Sequence, residues 1–194
     1  MRQILQLISS RAMDYPPPEL SLGYVQSTMQ PAHPIKILII EDDAATAAVF
    51  RDALEIAGFS CVIRQSMAGA AHYLSGLKRD DSDDLPLVIL LDFGLHDSYS
   101  YATVDRIPIL KEYGAVIVTT GEGDPILERI AIEKGAKKYY AKPIKDLNAF
   151  LQDVEETARC EALNRQLTRH SEQAAGFAKE IKERYLTNGT INGK

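Results

Sequence analysis

Between residues 35 and 145, short apolar runs alternate with stretches whose apolar positions fall three or four apart. Residues 35–40 form a β-branched apolar run and read as a buried strand. Over 44–57, Ala47, Phe50, Leu54 and Ala57 recur at helical spacing, and Gly58 marks the stop. Residues 61–63 predict a brief second strand and 68–77 a second helix. The most apolar run of the chain, 85–91, reads as a central strand. A helix over 102–112 follows and ends near Gly114, and 115–119 is a fourth strand. Pro125 suits the first turn of a helix over 125–134, Gly135 suits its end, and 138–141 is a fifth strand. The expected order is (βα)5, an α/β chain with a doubly wound parallel sheet covered on both faces. In such sheets a site lies beyond the carboxyl ends of the strands.

The flanks differ. Residues 1–34 hold Pro16-Pro17-Pro18, Pro31 and Pro34 and few periodic apolar positions. Proline sustains neither helix interiors nor ladders, so a flexible tail is expected there. Residues 144–187 contain no proline and one glycine, Gly176. Apolar residues recur there at Leu147, Leu151, Val154, Ala158, Ala162, Leu167, Ala174, Ala178, Ile181 and Tyr185, mostly in steps of three or four. The first part predicts the last helix of a domain spanning 35–157. Residues 158–187 predict a helical extension, far longer than the usual 11–12 residues. Its seam is alanine-rich and interrupted by Arg165 and His170, a pattern that permits a coiled coil and a homodimer through this helix. Residues 188–194 read as a disordered end.

Composition narrows the classes. The chain has 194 residues, 45% hydrophobic and 25% charged, enough for a core without disulfide or metal staples. Cys61 and Cys160 fit no metal or redox spacing and suit a reducing, cytoplasmic setting. No run approaches the 18 apolar residues of a membrane span, and the first dozen residues make a poor secretory signal. The net charge of −5 argues against a nucleic-acid partner. All of that excess sits in 36–143, with 12 basic and 17 acidic residues.

The acid collects at strand ends. Strand one runs into Glu41-Asp42-Asp43, strand three into Asp92, strand four into Thr119-Thr120 and strand five into Lys142-Pro143. Clustered carboxylates repel one another and their proton affinities rise. A hard divalent cation with oxygen ligands, Mg2+, removes that cost. One lysine can approach as a point charge on phosphate, and a threonine hydroxyl can donate to an anionic oxygen. Together these form an electrostatic cradle for a phosphoryl group, and Asp92 is placed as its nucleophile.

The four segments Ile-Leu-Ile-Ile-Glu41-Asp42-Asp43, Val-Ile-Leu-Leu-Asp92-Phe-Gly-Leu, Val-Ile-Val-Thr119-Thr120-Gly and Gly135-Ala-Lys-Lys-Tyr139-Tyr-Ala-Lys142-Pro143 occur in order. With them the sequence resembles the receiver domain of two-component response regulators, of the chemotaxis-receiver kind, over about 36–157. The resemblance implies the flavodoxin-like strand order 2-1-3-4-5. It implies that Asp92 accepts a phosphoryl group from a histidine kinase or phosphotransfer protein. Asp42, Asp92 and the Gly94 carbonyl would ligate Mg2+, with Glu41 acting through water. Thr120 and Lys142 would contact the phosphoryl oxygens, and the Lys142–Pro143 peptide would be cis. Thr120 and Tyr139 would form a switch read by a downstream protein, in a signalling domain rather than a turnover enzyme. His96 replaces the family's usual proline, Ser100 its common glycine, and Gly121 its usual alanine. These departures bear on phosphate lifetime.

Other motifs carry less. Asp92-Phe93-Gly94 spells a kinase metal motif without its companions, His96-Asp97 is a lone pair, and His170 reads as a solvated helix residue. Residues 78–86 read as an acidic surface loop. Two further readings are a regulatory piece of a larger cyclase, phosphodiesterase or kinase, and a phosphate-independent scaffold. The complete acidic set with Lys142 counts against the scaffold.

Overall fold

The computed structural model describes residues 35–77, 84–121 and 123–188, with side chains to 184. Its elements in chain order are β1 (Lys36–Ile40), α1 (Ala44–Ile56), β2 (Ser60–Arg64), α2 (Met67–Ser75), β3 (Val88–Asp92), β4 (Gly94–Leu95), β5 (Ser98–Tyr99), α3 (Tyr101–Val104), α4 (Ile107–Leu110), β6 (Ala115–Thr120), α5 (Pro125–Lys134), β7 (Lys138–Ala141) and α6 (Leu147–Asn188). The expected tail over 1–34 and the end over 189–194 lie outside the described residues. Asn188, expected in that end, closes α6.

Five strands form one parallel sheet in the order β2-β1-β3-β6-β7, which is 2-1-3-4-5 when only these strands are counted. Side chains alternate across a strand, so the sheet divides the core in two. Leu38, Ile40, Ile89, Leu91, Val116 and Val118 face one side and pack with Ala70, Leu74, Ile107 and Leu127. Ile37, Ile39, Val88, Leu90 and Ile117 face the other and pack with Phe50, Leu54, Phe150, Val154 and Ala158. Each buried Leu, Ile or Phe side chain contributes about 1.5–3 kcal/mol. Phe150 anchors the second face, with ring centroids 5.6 Å from Phe50 and 5.1 Å from Tyr140.

Local chemistry sets the helix ends. Asp43, Ser66 and Asp124 cap α1, α2 and α5 by accepting from the N–H groups of Thr46, Gly69 and Ile126. Gly135, at φ 112°, closes α5 in the left-handed region.

The segment after β3 departs from expectation. The helix expected over 102–112 divides into α3 and α4, with Asp105 and Arg106 between them. Pro108 sits near the α4 start, where its missing N–H costs no helical bond. Before them, β4 and β5 form an antiparallel hairpin turning at His96-Asp97. Such two-residue strands are too short to register as alternation in sequence. Ser100 holds φ 52°, at the position where the resemblance placed a glycine. Leu85 and Pro86 are buried, so the expected surface loop reaches the core at its end. Lys36 Nζ donates to the Asp84 carbonyl at 2.9 Å.

The helix α6 runs unbroken across 157/158, where the domain and its extension were expected to meet. No helix among the described residues is long and apolar enough to cross a membrane.

Candidate functional site

Register brings the polar strand ends together. Ile40 pairs with Leu91, which sets the following residues, Glu41 and Asp92, side by side. Asp92 pairs with Thr119, and Thr120 pairs with Ala141, the residue before Lys142. The Lys142 N–H donates to the Thr120 carbonyl at 2.6 Å, and the Lys142–Pro143 peptide is cis.

Glu41, Asp92 and Thr120 are 2%, 5% and 2% exposed, and Asp42 is half-buried. Lys142 Nζ donates to Glu41 Oε2 at 2.8 Å and lies 3.2 Å from Asp92 Oδ1. The second contact is an ion pair without hydrogen-bond alignment, so buried Asp92 Oδ1 has no hydrogen-bond donor. One oxygen from each of Glu41, Asp42 and Asp92 lies within 4.8 Å of the others. Burial pushes the Glu41 carboxyl above its ordinary range; the Lys142 hydrogen bond opposes this and the Asp92 charge adds to it. One ammonium therefore serves a pocket of three carboxylates, and an oxygen is left without a donor. That donor set fits a hard divalent cation. A Cβ at Gly94 would stand 3.3 Å from Asp92 Oδ2, so glycine leaves the space beside that oxygen open.

These residues surround a cavity of about 390 Å³, which Thr46, Tyr99 and Gly121 also line. Tyr139 lies on β7 behind it, half-buried, with its ring edge-on to Phe93 at 5.9 Å between centroids. Every residue expected at the site is thus in or against one pocket.

Two contributors went unassigned in the sequence. The His96 N–H donates to Asp42 Oδ2 at 3.1 Å, and its Nδ1 lies 3.5 Å from the same oxygen. Asp97 accepts from the N–H groups of Met67 and Ala68 at 2.9 and 2.8 Å. It thereby ties the hairpin beside Asp92 to the start of α2. The replacement of proline by histidine was the one visible signal for the first. None existed for the second, because Met67 lies thirty residues away.

Comparison with known proteins agrees with this geometry. The chain is 30% identical over 141 residues to the C4-dicarboxylate transport transcriptional regulatory protein DctD of Rhizobium meliloti (strain 1021). That match covers 72% of this chain and 29% of DctD, so the chain spans under a third of that relative. A CheY-like response regulator receiver domain protein from Methanospirillum hungatei JF-1 superposes with TM-score 0.58 at 18% identity, covering 68% of this chain and 99% of its own. A response regulator from Thermotoga maritima gives TM-score 0.55 at 19% identity, covering 66% and 99%. The profile of the response regulator receiver domain matches residues 37–155, more than half of the chain. With strand order, acidic pocket and profile in agreement, the chain belongs to the response regulator receiver domain family.

Proposed function

We propose that this receiver takes a phosphoryl group on Asp92 from a histidine kinase or phosphotransfer protein and signals by a change of shape to a protein partner. The observation that carries this reading is the arrangement around Asp92. Its carboxylate is buried, Lys142 stands 3.2 Å from Oδ1, and Oδ1 lacks a hydrogen-bond donor.

Asp92, Asp42 and the Gly94 carbonyl would hold Mg2+, with Glu41 reaching it through water. When bound, Mg2+ offsets the charge that gathers as a carboxylate approaches a phosphoryl group. An Asp92 oxygen attacks phosphorus, the O–P bond forms, and the donor's P–N bond breaks. The leaving imidazole keeps the electron pair of that bond and takes up a proton. Lys142 is held at the pocket by Glu41 and is in reach of a new phosphoryl oxygen. The Thr120 hydroxyl, at the buried end of β6, can donate to another. Inward movement of Thr120 would vacate space near Tyr139, whose ring already contacts Phe93 beside the acceptor. Phosphorylation would thus move the face of β6 and β7, a two-state element biased by added charge. The chain acts here as a signalling domain, with at most its own phosphotransfer and dephosphorylation as chemistry.

A small phosphodonor and Mg2+ should add one phosphoryl group, seen by intact mass, and Asp92→Asn should add none. Equal uptake by the variant would overturn the assignment.

A further inference from the structure

The hairpin after β3 puts an aromatic side chain at the mouth of the acceptor pocket. Gly94 and Tyr99 pair directly across its two strands. Residues so paired share a face, with Cβ positions about 4.5–5.5 Å apart. The neighbouring pair, Leu95 and Ser98, is 1% and 9% exposed. Alternation therefore turns Gly94 and Tyr99 to the outer face, where Tyr99 is 58% exposed. A glycine in such a pair leaves bare backbone, and an aromatic partner covers it.

That bare stretch adjoins the acceptor. A Cβ at Gly94 would stand 3.3 Å from Asp92 Oδ2, and one at Gly121 would meet no atom within 4 Å. Both glycines line the cavity around Asp92 and supply no side chain to it. Tyr99 lines the same cavity. Phe93, also on its wall, is buried in the core. Among the described residues of that wall, Tyr99 is thus the one exposed aromatic.

The hairpin holds the phenol in place. The His96 N–H is fixed on Asp42, and Asp97 holds the N–H groups of Met67 and Ala68. The Ser100 N–H donates to the Phe93 carbonyl at 2.9 Å. With the backbone tied on both sides of Tyr99, placing its ring costs only the entropy of one side chain.

We propose that Tyr99 shields the phosphorylated pocket from water, an inference that rests on the reading of Asp92 as acceptor. Hydrolysis of the aspartyl phosphate needs a water in line behind phosphorus. The water oxygen bonds to phosphorus, the bond from phosphorus to the Asp92 oxygen breaks, and its electron pair stays with the carboxylate. The water gives one proton to solvent, and inorganic phosphate departs. A phenol lying across Gly94 covers the open flank of the pocket and slows that attack by excluding water. The ring does this, not the hydroxyl. Its outer side faces solvent, so it can turn aside for an arriving donor without disturbing the core.

The parent, Tyr99→Phe and Tyr99→Ala are each phosphorylated by a small donor with Mg2+, freed of donor, and followed by intact mass. Tyr99→Ala should lose its phosphoryl group about fivefold faster than the parent, and Tyr99→Phe at a rate within about twofold of it. Mg2+ dissociation constants of the three unphosphorylated proteins, by calorimetry, should agree, which separates shielding from a merely structural role. Equal decay of Tyr99→Ala and the parent would overturn the shield. So would decay of Tyr99→Phe as fast as that of Tyr99→Ala, since the hydroxyl would then be the acting group. A loss of Mg2+ affinity in Tyr99→Ala that matches its faster decay would overturn it too. A parent that takes up no phosphoryl group would overturn the acceptor reading itself. Normal uptake with unchanged decay would remove the shield and leave that reading standing.

Discussion

The two halves of α6 share one helix and differ in what their apolar faces meet. Over 147–165 the face is buried on the sheet, with Phe150, Val154 and Ala158 at 0% exposure. Over 166–184 residues at similar spacing stand in solvent. Periodicity alone therefore marks an amphipathic helix without saying which body covers it. The covering body is decided by geometry, because the two apolar faces point in opposite directions and only one meets β3 and β6.

The largest test of that contrast is a pair of truncations. Phe150→Ala should destabilise the receiver by about 3–5 kcal/mol, because a cavity opens between Phe50 and Tyr140. Phe177→Ala should leave the receiver's urea midpoint unchanged at low protein concentration. Similar losses from both would erase the distinction between the halves.

The junction comes next. Arg165→Ala should cost about 1–3 kcal/mol, since two carbonyls lose a charged donor. Faster amide exchange in the helix around 161–165, with β1 and β3 unaffected, would locate the loss at the joint. Uniformly faster exchange would place Arg165 in the core instead.

The smallest effect concerns pH on the buried half. Asp153 pairs with Lys138 at 3.0 Å and accepts from the Tyr140 hydroxyl. The Tyr140 bond, then the Lys138 bond, hold the Asp153 carboxyl below its ordinary value of 3.8. A carboxyl lowered by folding contributes stability above its unfolded value and loses it as pH falls through the folded one. Burial, followed by the Asp153 hydrogen bond, raises the Tyr140 phenol above 10.0. That contribution is present below pH 10 and is lost as pH rises through the folded value. Asp153→Asn should therefore lower stability by under about 1 kcal/mol near neutrality. The difference from the parent should shrink below about pH 4. A difference that instead grew in acid would reverse the sign assigned to Asp153.

Strand positions, apart from β3 starting at Val88 rather than at 85, the carboxyl-edge location of Glu41, Asp92, Thr120 and Lys142, and the helix ends at Pro125 and Gly135 were legible in the chain. They arise from local rules: burial period, caps and the strand-end placement of polar residues. The hairpin Gly94–Tyr99 was not legible, because its two-residue strands carry no period. Nor was the contact of His96 with Asp42, which spans 54 positions.

The order of buried and capped segments was thus set by the amino acids along the chain, and with it the parallel sheet and its acidic edge. Tertiary structure decided the rest. Sheet register placed Lys142 on Glu41 across 101 positions. Docking of 147–165 consumed one apolar face of α6 and left the opposite seam exposed. The physical reason is range: propensity and periodicity act within a turn or a strand, whereas register, ion pairing and the choice of buried face depend on which segments meet.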